Sequence, residues 1–251
     1  MKLSFSLLYL LAVGTAVKEQ PSSNRHVRRR VGDHAKSGSR SSSKHGGKHK
    51  AFKNVIMMIP DGCDEAIQTL ARWYKGQDLH LDGLPRTSVK TFVANSVIAD
   101  SASAATAFAT GYKTSVGFLS VGPRHDTLLS IYYNNATKYD MALQYAPMAT
   151  ILEAAKSVGK STGLVATGQV IDATPAAFAS HVDYRYKQEE IMKHLVYNNV
   201  DVVFGGGKEW LLPASTCPNA IANGGRRLDC QDLRQVLEQR GYKICETRQQ
   251  L

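Results

Sequence analysis

From Asn54 onward, short apolar runs and helical patterns take turns along the chain, and this alternation restricts the fold more than any other feature. Residues 55–59, 87–94, 161–167, 200–204 and 242–245 read as strands. Residues 64–74, 100–110, 150–157, 189–197 and 232–240 read as helices, several closed by a glycine. In the first of these helices Ile67, Leu70, Ala71 and Tyr74 share one face. Repeated strand–helix–strand succession implies an α/β fold, a three-layer sandwich whose central sheet is mainly parallel and covered on both faces. Residues 112–146 carry turn signals instead. The chain stops at Leu251 just after a strand, so the sheet is expected to be incomplete at the C-terminus, with an exposed edge.

The first 52 residues read differently. Met1-Lys2, an apolar run from Leu3 to Val13 and the small residues Gly14-Thr15-Ala16 have the pattern of a secretory signal peptide, residues 1–16. Secretion, with the protein extracellular or at the cell surface, is the expected localisation. Residues 17–52 are rich in Ser, Gly, Lys, Arg and His and too poor in apolar groups to order themselves. They form a basic linker or pro-segment, and the folded part spans 53–251. The basic tail holds most of the formal net charge of +10. Its residues 18–50 offer contact with polyanions, although nothing there reads as specific recognition of nucleic acid. His26, His34, His45 and His49 are too scattered to form a metal site. In an oxidising compartment disulfides are permitted. Of Cys63, Cys217, Cys230 and Cys245, the pair Cys217 and Cys230 flanks a loop rich in Asn and Gly and is favoured, while the other connectivities stay open. Asn135-Ala136-Thr137 is a glycosylation acceptor if it lies on an exposed loop.

Three motifs carry the chemistry. The apolar run 55–59 ends in Pro60-Asp61-Gly62, which places a carboxylate at a strand's C-terminal end, where open α/β sheets bind ligands. A second run ends in Asp100-Ser101-Ala102-Ser103-Ala104-Ala105-Thr106, one hydroxyl backed by small residues able to pack tightly. Serine is a weak nucleophile until a base or metal activates it. Ser101 lacks the Gly-x-Ser-x-Gly surroundings of a hydrolase elbow, which favours metal activation. The third motif, Asp172-Ala173-Thr174-Pro175, brackets one small residue with two oxygen groups that suit Mg²⁺, or else it simply starts a helix. Downstream lies Arg185, a bidentate phosphate clamp or a surface partner of Asp183.

In this order, Asp61-Gly62, Asp100 to Thr106, Asp172 to Ala177 and Arg185 resemble the alkaline phosphatase family, and Gly205-Gly206-Gly207 is similar to a turn of that family. The resemblance runs from about Asn54 to Leu251. It implies phosphate monoester hydrolysis through a phosphoserine on Ser101, with Asp100 orienting Arg185 and Arg185 gripping the phosphoryl oxygens. It further implies two Zn²⁺ and one Mg²⁺, with Asp61, Ser101, Asp172 and Thr174 among the metal ligands. Two metals about 4 Å apart hold attacking and leaving oxygens in line, and phosphoryl transfer otherwise asks the protein for positioning and charge neutralisation. Homodimers are common in the family.

The resemblance also implies further histidine, aspartate and glutamate ligands, but no Asp-x-x-x-His or Asp-His pair occurs after Arg185, where the only histidine, His194, reads as a surface residue on a helix. The chain is therefore expected to be the N-terminal part of such an enzyme and to be inactive alone, since Zn²⁺ prefers N or S donors. The alternative is a short, non-catalytic homologue that binds phosphate or polyanions through its tail.

Overall fold

The computed structural model describes residues 9–11, 53–124, 143–218, 220 and 224–251. Residues 1–16 apart from 9–11, the whole of residues 17–52, and Asn135 lie outside the described residues, and with them the expected signal peptide and basic tail. Two units are distinguished, Ser6–Pro60 and Asp61–Leu251. In the first, β1 (Tyr9–Leu11) pairs antiparallel with β2 (Ile56–Met58). This corrects the reading of residues 55–59 as a buried strand, because Val55, Ile56 and Met58 are exposed. An apolar run records the tendency to be buried, and only a neighbouring layer can satisfy it.

The second unit is α/β with a parallel sheet. It contains α1 (Glu65–Lys75), α2 (Ser101–Thr110), α3 (Ile151–Ser157), β3 (Gly163–Gln169), α4 (Ala173–Ala176), α5 (Gln188–Tyr197), β4 (Val202–Gly206) and α6 (Leu233–Gln239). β3 and β4 run parallel, with Gly163 opposite Val202 and Val165 opposite Phe204. The chain between them supplies α4 and α5, the helical crossover that parallel strands require. β4 continues beyond the predicted end at Phe204 into the glycines. A Cβ at Gly205 would stand 2.7 Å from a Val170 methyl, so only glycine fits there. Among the described residues β3 and β4 pair only with each other. Among the described residues Val165 and Val202 to Phe204 are exposed.

Local signals placed the helices well. Asp64 and Asp100 accept from the amides of Ile67 and Ser103, at 2.8 and 3.0 Å, and Gly76 and Gly111 end those helices in the left-handed conformation. Thr150 and Glu153 form a capping box at α3. The small residues of α2 serve close approach: Ala102, Ser103, Ala105, Thr106 and Ala109 are buried, and α2 packs against α4, whose Ala173 and Ala176 are buried too. The Thr106 hydroxyl donates to the Phe118 carbonyl and accepts from the Ser120 amide, so its burial leaves no polar atom unmatched.

Three predicted features differ. Residues 87–94 form no strand, only an isolated bridge between Val93 and Ser96. Residues 242–245 are irregular, and the Tyr242 hydroxyl donates to the Val200 carbonyl instead. The apolar face of α1 is open, with Ile67, Leu70 and Tyr74 all exposed. Periodicity tells which residues share a face but not what covers it. The favoured disulfide, Cys217–Cys230, is present, and Cys63 and Cys245 are free thiols. No helix among the described residues is long and apolar enough to cross a membrane.

Asp201 fastens α3 to the start of β3. It accepts from Lys156 Nζ at 2.9 Å and from the Thr162 amide and hydroxyl at 2.8 and 3.0 Å. The Lys156 bond, then the two Thr162 bonds, pull its carboxyl from the ordinary 3.8 down to about 2. Because the native value lies below the unfolded one, this stabilisation is complete above pH 3.8 and is lost as pH falls through about 2. Acid titrations of stability should therefore show the gap between wild type and Asp201→Asn closing over that window.

Candidate active site

α2 delivers Ser101 on its first turn, where unpaired amides and the helix dipole favour negative charge. Asp100 is the N-cap, so the cap is built by the neighbouring carboxylate and the Ser101 hydroxyl is left out of it. That carboxylate does four things at once. Oδ1 accepts from the Ser103 amide and, at 2.6 Å, from the Ser103 hydroxyl. Oδ2 accepts from the Gly117 amide and from Arg185 Nη1, both at 3.2 Å. Burial pushes the Asp100 carboxyl up, but the bonds from Ser103, Gly117 and Arg185 outweigh it and hold the group below its usual range. It is therefore an anion at neutral pH, opposite a guanidinium.

Arg185 Nη1 also donates to Ser101 Oγ at 2.7 Å. The surface pairing with Asp183 is not formed; Asp183 binds Lys187. Arg185 arrives on a short backbone pairing of residues 182–185 with 117–119. Leu119 and Val182 exchange both amide bonds, and the Arg185 amide donates to the Gly117 carbonyl at 2.8 Å. Gly117 thus touches both partners, its amide on Asp100 and its carbonyl on Arg185. Nothing in the sequence marked it, because residues 112–146 carry no periodic pattern. Its φ of +82° is one that L side chains resist, while the nearest atom to an added Cβ, on Tyr184, is an unobstructive 3.8 Å away. Gly117→Ala is expected to cost about 1 kcal/mol of stability from the backbone alone, read by urea unfolding.

The metal-ligand candidates fall partly together. Thr174 Oγ1 donates to Asp61 Oδ2 at 2.8 Å, across 113 residues of sequence. Asp172 occupies the N-cap position of α4, yet its side chain makes no capping bond and instead accepts from the Gln169 amide at 3.2 Å. Two carboxylates and a hydroxyl are hard oxygen donors suited to Mg²⁺. Among the described residues no group of three or more His, Cys, Asp and Glu is arranged to hold a metal ion. His194, read as a surface residue, is half-buried and accepts the His181 amide on Nδ1 at 3.1 Å. The sequence pattern of α5 did not reveal the segment packed over it.

Residues 52–251 match the sequence model of the alkaline phosphatase family. The chain belongs to the alkaline phosphatase family. The repressible alkaline phosphatase of Saccharomyces cerevisiae is 32% identical over 207 residues, covering 76% of this chain and 32% of the yeast protein. The crystal structure of Thermus thermophilus alkaline phosphatase superposes with a TM-score of 0.56 at 28% identity, over 73% of this chain and 33% of the other. A mutant of the alkaline phosphatase from the Antarctic bacterium TAB5, described with Mg bound in its M3 site, gives 0.55 at 25% identity over 72% and 43%. The chain therefore spans about a third of the length of the yeast and Thermus alkaline phosphatases. The described residues bring Ser101, Asp100 and Arg185 into mutual contact and set Thr174 against Asp61.

Proposed function

We propose that this protein takes part in phosphate monoester hydrolysis with Ser101 as the phosphoryl acceptor. The observation that carries this reading is the single guanidinium nitrogen shared by the Ser101 hydroxyl and the Asp100 carboxylate. A phosphoryl group on Ser101 would meet Arg185 on one side and the amides at the start of α2 on the other, and both favour its negative charge. Ser101 Oγ forms the new P–O bond while the bond to the leaving oxygen breaks, and the hydroxyl proton passes to solvent. Water then attacks phosphorus, breaks the bond to Oγ and releases inorganic phosphate. Asp100 keeps Arg185 from turning away between the two steps.

Asp61, Asp172 and Thr174 fit Mg²⁺ by donor chemistry and would hold it, and the ion would supply charge neutralisation. They do not fit Zn²⁺ by themselves, since borderline-soft zinc favours nitrogen and sulfur. We propose that zinc ligands come from polypeptide outside these residues, and that the 251 residues alone turn over slowly or not at all. Export, dimer formation and polyanion contact through residues 18–50 are likewise proposals. Incubation of the protein completed with its metal ligands with a phosphomonoester, followed by acid quench and peptide mass spectrometry, should place phosphate on Ser101. Phosphate on another residue, or none, would overturn the reading.

A further inference from the structure

The segment that carries Arg185 begins at His181, and His181 is bound on both ring nitrogens. Nδ1 lies 2.9 Å from the Ser120 carbonyl and Nε2 lies 2.8 Å from Glu153 Oε1. A carbonyl can only accept. Glu153 Oε1 already receives the Asn198 amide at 3.0 Å, and Oε2 receives the Thr150 amide at 2.9 Å. Burial would push the Glu153 carboxyl up, yet the bonds from His181 and Thr150 hold it below its usual range. The glutamate is thus ionised and also an acceptor. Two acceptors facing one imidazole require a hydrogen on each nitrogen.

We propose that His181, held as an imidazolium between the Ser120 carbonyl and Glu153, is a positioning residue for Arg185. The mechanical route is short. His181 is followed by Val182, which exchanges both amide bonds with Leu119, and three residues later Arg185 binds Gly117. Ser120 follows Leu119 on the opposite segment, so the imidazolium ties the two paired segments together at one end. Glu153 anchors that end to the α3 cap, and the Asn198 side chain, which also donates to the Ala179 carbonyl at 2.8 Å, anchors it to the end of α5.

The groups facing His181 are Glu153 from α3, His194 and Asn198 from α5, and the Ser120 carbonyl. His194 accepts on Nδ1, and burial pushes its imidazole down, with Glu190 and Lys193 acting in opposite senses. It therefore brings no second positive charge at neutral pH. Loss of the His181 proton to solvent leaves one hydrogen for two acceptors, so either Ser120 or Glu153 loses its partner.

The inference rests on Arg185 being an oxyanion clamp, and the test separates the two. Inorganic phosphate affinity is measured for the full chain, His181→Ala, Arg185→Ala and the double variant. Arg185→Ala should weaken binding roughly tenfold or more. His181→Ala should weaken it about fivefold, and this loss should vanish in the Arg185→Ala background. A loss that persists there, or no loss at all, overturns the positioning role. No phosphate binding by the wild type, or none lost in Arg185→Ala, overturns the reading of the site and the inference with it. If His181→Ala does not fold, Glu153→Gln keeps an acceptor for the Thr150 amide. Its phosphate affinity should fall in the same direction as that of His181→Ala, and an unchanged affinity would overturn the proposal. Nitrogen-15 NMR of the His181 ring at pH 7 should show both nitrogens protonated; a neutral tautomer would count equally against it.

Discussion

Ser101→Ala is expected to abolish phosphomonoester hydrolysis while leaving the fold intact. The separation follows from how α2 is capped. Asp100 satisfies the Ser103 amide, and Ser101 contributes no capping bond. Alanine is the best helix former for the vacated position. Arg185 loses one acceptor but keeps Asp100 Oδ2 at 3.2 Å, so the guanidinium stays seated. Stability should change by no more than about 0.5 kcal/mol. Turnover by the protein completed with its metal ligands should fall on the order of 10³-fold or more, as befits loss of a nucleophile whose partners act as one unit. Urea unfolding and a chromogenic phosphomonoester assay measure the two quantities independently. Near-normal turnover in the variant would remove Ser101 from the chemistry. Asp100→Ala makes a useful contrast, because it strips the cap, the Gly117 contact and the Arg185 contact together and should reduce both stability and activity.

Arg227→Ala is expected to be the most destabilising single substitution away from the site. The Arg227 side chain is fully buried. Its guanidinium donates to both oxygens of Asp229, to the Glu189 carbonyl at 3.0 Å and to the Trp210 carbonyl at 3.1 Å. These partners belong to the first turn of α5, to the short helical turn Lys208–Trp210 and to the loop closed by Cys217–Cys230. Truncation leaves two carbonyls and a partly exposed carboxylate without their donor, and it opens a cavity. Breaking a fully buried pair from one side costs about 3–5 kcal/mol, and the part-exposed Asp229 places this loss toward or below the lower end. Arg227→Lys keeps the charge, but one ammonium cannot reproduce the planar fork across three directions, so it should recover only part of the loss. Denaturant midpoints of the three proteins decide this, and a loss below about 1 kcal/mol for alanine would show that the loop holds without its arginine.

The helices were legible where local chemistry places their ends. Asp64, Asp100 and Thr150 are caps, and Gly76 and Gly111 are stops, because each satisfies backbone groups within a few residues. The strands were less legible. Residues 87–94 alternate as a strand does but found no partner strand, and pairing is not written in one segment alone. For the same reason the burial expected of residues 55–59 and of β4 was not met.

The site divides along the same line. The sequence by itself marked the candidate groups: a serine after a capping aspartate, an Asp-x-Thr pair, and an arginine eleven residues on. Residue type and short spacing carry that information. Only the tertiary structure decided which groups meet. It turned Arg185 away from nearby Asp183 and onto Ser101, 84 residues distant, and set Thr174 against Asp61. It also disclosed Gly117, His181 and Glu153. Their contribution is a backbone bond or a shared proton at a crossing of distant segments, and such contacts exist only once the chain has folded.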